Sequence, residues 1–274
     1  MAGLGSLTAW ERMGLVKAKG RPNIEDYIGL IFTDFMELHG DRYYGDDAAI
    51  KGGIAWFYGQ PVTVISQVKG KNLEENKKSN FAMPHPEGYR KALRLAKQAE
   101  KFHRPVITLI DTPGAFCGIQ AEERGQGEAI ARNLYEFMRL KTPVVSVVLG
   151  EGGSGGALAL AVCDRLGVLE NAVYSVISPR GCANILWKDP SREQEAANLM
   201  KITAQDLLQL EICEEVIEEA PGGAHNNMEL TAENIEKFIK NSLATLCNLP
   251  IDIMLATRYD KFRKIGDFIE SDQQ

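Results

Sequence analysis

Thr142-Pro143-Val144-Val145-Ser146-Val147-Val148-Leu149-Gly150-Glu151-Gly152-Gly153-Ser154-Gly155-Gly156-Ala157-Leu158-Ala159-Leu160-Ala161-Val162 is the stretch whose reading decides the fold. Its first part is apolar and β-branched and reads as a buried strand. Its last part is small and apolar and reads as the start of a buried helix. Between them glycine holds most positions, so the backbone can turn tightly and approach a neighbour closely. A helix N-terminus leaves several N–H groups without intrahelical partners. Such a cluster suits an anion, either a phosphate or a charge that appears only during reaction. A plain tight turn, glycine-rich for packing, explains the same residues, and on this stretch alone the two readings stand level. The Lys-Ser/Thr pair that closes a phosphate-binding P-loop is missing, and the spacing is not that of a dinucleotide-binding G-x-G-x-x-G turn.

Outward from this stretch, strand-like runs at Ile50–Phe57 and Pro61–Val68 predict a hairpin through Tyr58-Gly59-Gln60. Pro105–Ile110 and Val173–Ile177 read as further buried strands, and Val216-Ile217 as a last edge strand. Helices are expected over 87–102, from the polar segment after Phe116 to about Leu140, in short pieces over 183–210, and over 231–266. Strands separated by helices every 30–40 residues indicate an α/β fold with a largely parallel sheet. A second glycine-bearing turn, Asp111-Thr112-Pro113-Gly114-Ala115-Phe116, follows the strand at 105–110. Loops leaving the same end of a parallel sheet converge on one crevice, which favours a shared site.

At the N-terminal side, residues 1–22 read as a docking arm with Trp10 as aromatic anchor and a basic end, Lys17 to Arg21. Ile24, Tyr27, Ile28, Ile31, Phe32, Phe35 and Leu38 recur with helical period and predict an amphipathic helix over 24–38. Lys69, Lys71, Lys77 and Lys78 form a basic cluster in a polar loop through Asn80, suited as a whole to an anionic ligand or partner; each lysine singly reads as solvated surface.

The 274 residues carry a formal net charge of -6, with 45% apolar and 25% charged residues, a soluble globular composition that counts against nucleic acid as the main ligand. No apolar run is long enough to span a bilayer and Met1–Trp10 has no secretory pattern, so the expected location is cytoplasmic. Cys117, Cys163, Cys182, Cys213 and Cys247 are scattered, never in C-x-x-C spacing, and read as free thiols; Cys163 reads as core within the apolar helix. The four histidines are equally dispersed, so no metal site is expected on this chain.

Several long motifs stand in order: Gly40-Asp41-Arg42, Gly52-Gly53-Ile54-Ala55, Met83-Pro84-His85-Pro86-Glu87-Gly88-Tyr89-Arg90-Lys91-Ala92-Leu93-Arg94, Asp111-Thr112-Pro113-Gly114-Ala115, Ala121-Glu122-Glu123-Arg124-Gly125-Gln126, Gly150 to Ala157, and Tyr174-Ser175-Val176-Ile177-Ser178-Pro179-Arg180-Gly181-Cys182-Ala183. Together, from about residue 8 to 265, they closely resemble the α subunits of bacterial acetyl-CoA carboxylase carboxyltransferases. The one departure inside a motif is Arg180, where an acidic residue is frequent in that family.

The resemblance implies a crotonase-like α/β fold of repeated ββα units with terminal helices. It divides the chain into the docking arm 1–22, a carboxyltransferase domain 23–250, and a C-terminal helix and polar tail 251–274. It implies transfer of a carboxyl group from carboxybiotin, on the biotin carboxyl carrier protein, to acetyl-CoA, giving malonyl-CoA for fatty acid biosynthesis. It implies activity only with a separately encoded β subunit, in an α2β2 heterotetramer, with biotin carboxylase in the larger complex. Biotin would then be carried by another chain, and the zinc ribbon would belong to β.

Loss of the carboxyl group leaves negative charge on the biotin ureido oxygen, which calls for oriented donors more than for a side-chain base. By the family pattern the backbone N–H groups of Gly155 and Gly156 form that oxyanion hole. Gly114 and Ala115 are second choices, the alternative being a turn that sets Phe116 as pocket wall. Gly152, Gly153 and Ser154 shape the substrate turn, and Lys69 and Lys71 face CoA or the carrier. Glu151 orients the glycine stretch or pairs with Arg124, and Tyr89, Arg90 and Arg94 read as structural. Two other readings remain: a subunit of another biotin-dependent acyl-CoA carboxylase or decarboxylase, and a non-catalytic scaffold.

Overall fold

In the computed structural model, which describes residues 7–266, the N-terminal arm contains a helix, α1 (Ala9–Val16), opened by a capping box between Thr8 and Glu11. It packs on the chain's own body: Trp10 N–H donates to Asn198, and the Arg12 guanidinium donates to the Glu170 carbonyl and to Asn171.

The helix expected over 24–38 is half as long. α2 (Ile24–Ile31), capped by Asn23, ends at Phe32, whose backbone is extended, and residues Thr33–Glu37 form a strand, β1. Phe35 and Leu38 do pack on the core, so helical period and edge-strand packing coincide on the same apolar residues. The chain leaves the helix because β1 finds antiparallel partners on β2 (Ile50–Phe57), where Gly53 lets the Met36 carbonyl lie 2.1 Å from the place a Cβ would take.

The hairpin forms as expected, β2 pairing antiparallel with β3 (Gln60–Gln67). The polar loop after it holds a short helix, α3 (Leu73–Lys78), capped by Asn72. α4 (Pro86–Lys101) then leads to β4 (Val106–Thr112), and α5 (Ile119–Glu123) and α6 (Gln126–Met138) lead to β5 (Val144–Gly153). Beyond it come α7 (Ser154–Ala161), β6 (Arg165–Leu169), β7 (Val173–Ser175), α8 (Pro179–Trp187), α9 (Glu193–Leu199), α10 (Ala204–Gln209), β8 (Glu215–Ile217), α11 (Met228–Leu246) and α12 (Ile251–Lys264).

The strands make one mixed sheet in the order β1-β2-β3-β4-β5-β6-β8, antiparallel up to β3 and parallel from β3 onward, with β7 pairing the last turns of β5. Among the described residues β8 is an edge strand, as expected. β6 has no counterpart in the sequence reading: Arg165 and Gly167 interrupt its apolar run, and it needs the parallel ladder to β5 to form. Cys163 is fully buried, in the link after α7 rather than within the helix. The central strands are buried on both faces, as covered parallel strands are. No helix of the described residues is long and apolar enough to cross a membrane.

Candidate functional site

The glycine stretch is less of a loop than its composition suggests. β5 runs on through Gly150 to Gly153, and the turn into α7 is a single residue, Ser154, at φ +52. Gly155 and Gly156 are therefore the second and third residues of α7. No side chain caps this helix, and among the described residues no side-chain or loop acceptor takes the N–H groups of Ser154, Gly155 or Gly156. The start of α7 thus offers bare donors, as a helix N-terminus does.

The turn after β4 lies directly against it. A Cβ on Gly153 would sit 2.1 Å from the Pro113 carbonyl oxygen, and one on Gly156 would sit 2.4 Å from the Ala115 nitrogen. Neither position tolerates a side chain without moving backbone. In the second turn, Gly114 N–H donates to Thr112 Oγ1 and Phe116 N–H to the Pro84 carbonyl. Of the two second-choice residues, Ala115, beside Gly156, is the one whose N–H has no partner among the described residues. Phe116 packs its ring against His85, with centroids 4.7 Å apart.

The parallel ladder between β4 and β5 slips just before the site: Ile110 pairs with Val148, but Thr112 pairs with Gly152. Asp111 fills the slip, accepting from Glu151 N–H at 2.9 Å. Lys69 bridges the carboxylates of Glu151 (2.8 Å) and Asp111 (3.4 Å). Burial works against its ammonium, yet the two carboxylates outweigh it and hold the Lys69 pKa above the usual lysine value. Glu151 accordingly pairs with Lys69 and not with Arg124, which forms its ion pair with Glu87. Lys71, half-exposed, pairs with Asp26. Arg90 pairs with Asp41, and Arg94 donates to backbone carbonyls, the structural roles read from the sequence.

Behind the stretch, Arg21 donates to the Leu149 carbonyl at 2.7 Å and to both oxygens of Glu219. Glu219 also accepts from Asn171 and from Ala224 N–H. Burial alone would push this carboxyl up; Arg21 and the other donors outweigh it and hold it below the usual range. Arg21 stands in the sequence only as part of a basic end and Glu219 carries no motif, so their pairing is invisible there. Asp111 lay inside a quoted motif, without a role.

Ser154 lies between two cavities. One, of about 370 Å³, is bounded by Trp10, Met13, Lys17, Glu151, Gly153 and Arg180. The other, about 240 Å³ and mostly apolar, is lined by Gly155, Leu158, Tyr174 and Leu207 among others. Among the described residues no group of His, Cys, Asp or Glu is placed to hold a metal ion. The arrangement can hold a negatively charged oxygen on backbone donors; its charged side chains nearest the glycines are already paired.

A family described as acetyl co-enzyme A carboxylase carboxyltransferase-like matches residues 3–266. A curated relative from Clostridium acetobutylicum, named acetyl-coenzyme A carboxylase carboxyl transferase subunit alpha, is 57% identical over 266 residues, 97% of each chain. A relative of the same name from Halalkalibacterium halodurans is 58% identical, over 96% of this chain and 81% of its own. Among solved structures, a transcarboxylase 12S with methylmalonyl-coenzyme A bound has a TM-score of 0.70 at 18% identity, over 88% of this chain and 45% of its own. The Pseudomonas malonate decarboxylase hetero-tetramer in complex with coenzyme A has a TM-score of 0.62 at 19% identity, over 78% of this chain and 86% of its own. These likenesses show a crotonase-like fold. By the match over nearly its whole length, the chain belongs to the acetyl co-enzyme A carboxylase carboxyltransferase-like family.

Proposed function

We propose that this chain is the α half of an acetyl-CoA carboxylase carboxyltransferase, moving a carboxyl group from carboxybiotin to acetyl-CoA to give malonyl-CoA. It works in the cytoplasm, in an α2β2 assembly with a separately encoded β subunit. The biotin carboxyl carrier protein brings the biotin, recharged by biotin carboxylase in the larger complex. Curated relatives of this name at 57–58% identity support the reaction and the partner subunit.

The observation that carries the reading at the level of residues is the pair of loops meeting at Gly156, with unengaged N–H groups on Gly155, Gly156 and Ala115. These groups fit a biotin ureido oxygen: they are donors, they bring little side-chain bulk, and Gly155 borders the apolar cavity. When bound, carboxybiotin supplies the carboxyl group and a ureido oxygen that gathers negative charge as that group leaves. Gly155 and Gly156 donate to it, and Ala115 adds a second-choice donor beside them. Such a donor typically lowers a barrier by about 3 kcal/mol. Gly152, Gly153 and Ser154 keep the approach open, and Phe116 braces the neighbouring turn. Lys69 acts through Glu151, holding the end of β5, while Lys71 meets the anionic parts of CoA or of the carrier.

The test is malonyl-CoA-dependent carboxylation of free biotin by the purified chain, alone and mixed with its β partner. Activity is expected only in the mixture. Full activity from the chain alone would overturn the two-subunit reading.

A further inference from the structure

The carbonyl of Gly156 is held by two buried side chains from separate elements. Gln67, the last residue of β3, donates its amide Nε2 to Gly156 O at 2.7 Å. Tyr89, on α4, donates its hydroxyl to the same oxygen at 3.3 Å. Both residues are 0% exposed. A first-turn carbonyl already has the amide four residues on as its helical partner. These bonds are therefore additional to what the helix needs.

Gln67 also carries a penalty that stability alone does not explain. Its Oε1 is buried and, among the described residues, has no hydrogen-bond partner. A buried acceptor without a donor is unfavourable, and an unbranched apolar side chain of similar length would fill the space without leaving one. What the amide supplies and a methionine does not is the bond to Gly156.

Gly156 is at the same time the point where the two turns touch, its Cα packed against the Gly114–Ala115 peptide. α7 starts with Ser154 in the left-handed region and two glycines, a turn with little side-chain constraint of its own. Holding the Gly156 carbonyl from below, against Ala115 from the side, fixes the gap between the two sets of donors.

We infer that Gln67 and Tyr89 are positioning residues for the oxyanion-binding turn, setting the place of the Gly155 and Gly156 amides relative to Ala115 through the Gly156 carbonyl. The inference rests on the carboxyl-transfer reading for its consequence in rate, but not for its structural content. Positioning errors of about 1 Å at a reacting centre cost as much as a hundredfold in rate.

The test uses Gln67→Met and Tyr89→Phe in the full chain assembled with its β partner. Four quantities are measured: melting temperature, kcat and KM for biotin carboxylation, and amide hydrogen exchange across residues 154–157. For Gln67→Met the melting temperature is expected at or above that of the parent. Its kcat is expected to fall by about tenfold or more at unchanged KM for malonyl-CoA. Its exchange at 154–157 is expected to accelerate by about tenfold. Tyr89→Phe, losing the longer bond, shifts the same quantities less. Unchanged exchange at 154–157 in Gln67→Met overturns the inference. So does a fall in melting temperature with kcat and exchange at 154–157 as in the parent, since Gln67 would then be structural only. Faster exchange at 154–157 in Gln67→Met, together with a parent complex that carboxylates no biotin, would support the positioning role while rejecting the proposed reaction.

Discussion

The two ends of Leu149–Gly156 are held by opposite means. At the Leu149 end, Arg21 takes the Leu149 carbonyl, Asp111 takes the Glu151 amide, and Lys69 ties Glu151 to Asp111. At the Gly156 end the three helix-start amides have no such partners among the described residues. One end is a charged anchor with its groups satisfied. The other is a set of donors held in place through their neighbours. The difference teaches how a backbone site is built: the anchoring polar groups are spent one turn away, so those at the site stay available.

The largest break in this comparison is expected from Gly156→Val. Any Cβ there meets the Ala115 nitrogen, so the two turns must separate. Carboxyl transfer by the complex is expected to drop about a thousandfold, with a lower melting temperature. Turnover within tenfold of the parent would show that the close approach is dispensable. The sequence alone suggests a folded but blocked assembly for this variant; backbone contact in place of open space adds the loss of stability.

At the anchored end, Glu219→Gln leaves the Arg21 guanidinium buried without its charge partner. The expected loss is about 3–5 kcal/mol in chemical denaturation, with activity falling as the Leu149 end loosens. The effect has a pH signature. Because the folded-state pKa of Glu219 lies below its ordinary value of 4.5, its stabilisation is fully present above that value and is lost as pH falls through the lowered one. The stability gap between parent and Glu219→Gln should therefore narrow on acidification below pH 4.5. A gap constant from pH 7 down to pH 3 would remove the charge from the account.

The smallest effect sharpens the contrast within the donor turn itself. A Cβ on Gly155 meets only Ile130, at an ordinary 3.6 Å. Gly155→Ala should change stability by less than about 1 kcal/mol and leave turnover within about threefold. A loss comparable to that at Gly156 would mean that the space beside Gly155 is itself occupied during the reaction.

Much of this was legible in the sequence. The β2–β3 hairpin, α4, β4 and the strand into Gly150–Gly156 are announced by β-branched runs, turn residues and helical period. The pairing of the 112–116 turn with the glycine stretch follows from parallel topology, and the structure puts Gly156 on Ala115. Other elements are decided by tertiary contact. β1 hides under the period of α2 because Phe35 and Leu38 serve either conformation, and β6 exists through its ladder to β5. The site's supports were harder still. Arg21 and Glu219 are far apart in sequence and unremarkable in composition. Gln67 left a trace, a polar residue near the end of an apolar strand, buried where the alternation gives no reason for it.

The anchoring of the Leu149 end also fixes an order of events during synthesis. Arg21 reaches Glu219 across 198 residues and Leu149 across 128; Trp10 reaches Asn198 across 188. Arg21 and Trp10 leave the ribosome before the residues they dock on. At roughly 5–20 residues per second, about 10–40 s pass between the emergence of Arg21 and that of its carboxylate partner. Through that interval the central strands can pair while Arg21 lacks its carboxylate partner. The anchor of the Leu149 end is thus completed only after Glu219 has emerged, and a nascent chain stopped before it carries the glycines with that end untied.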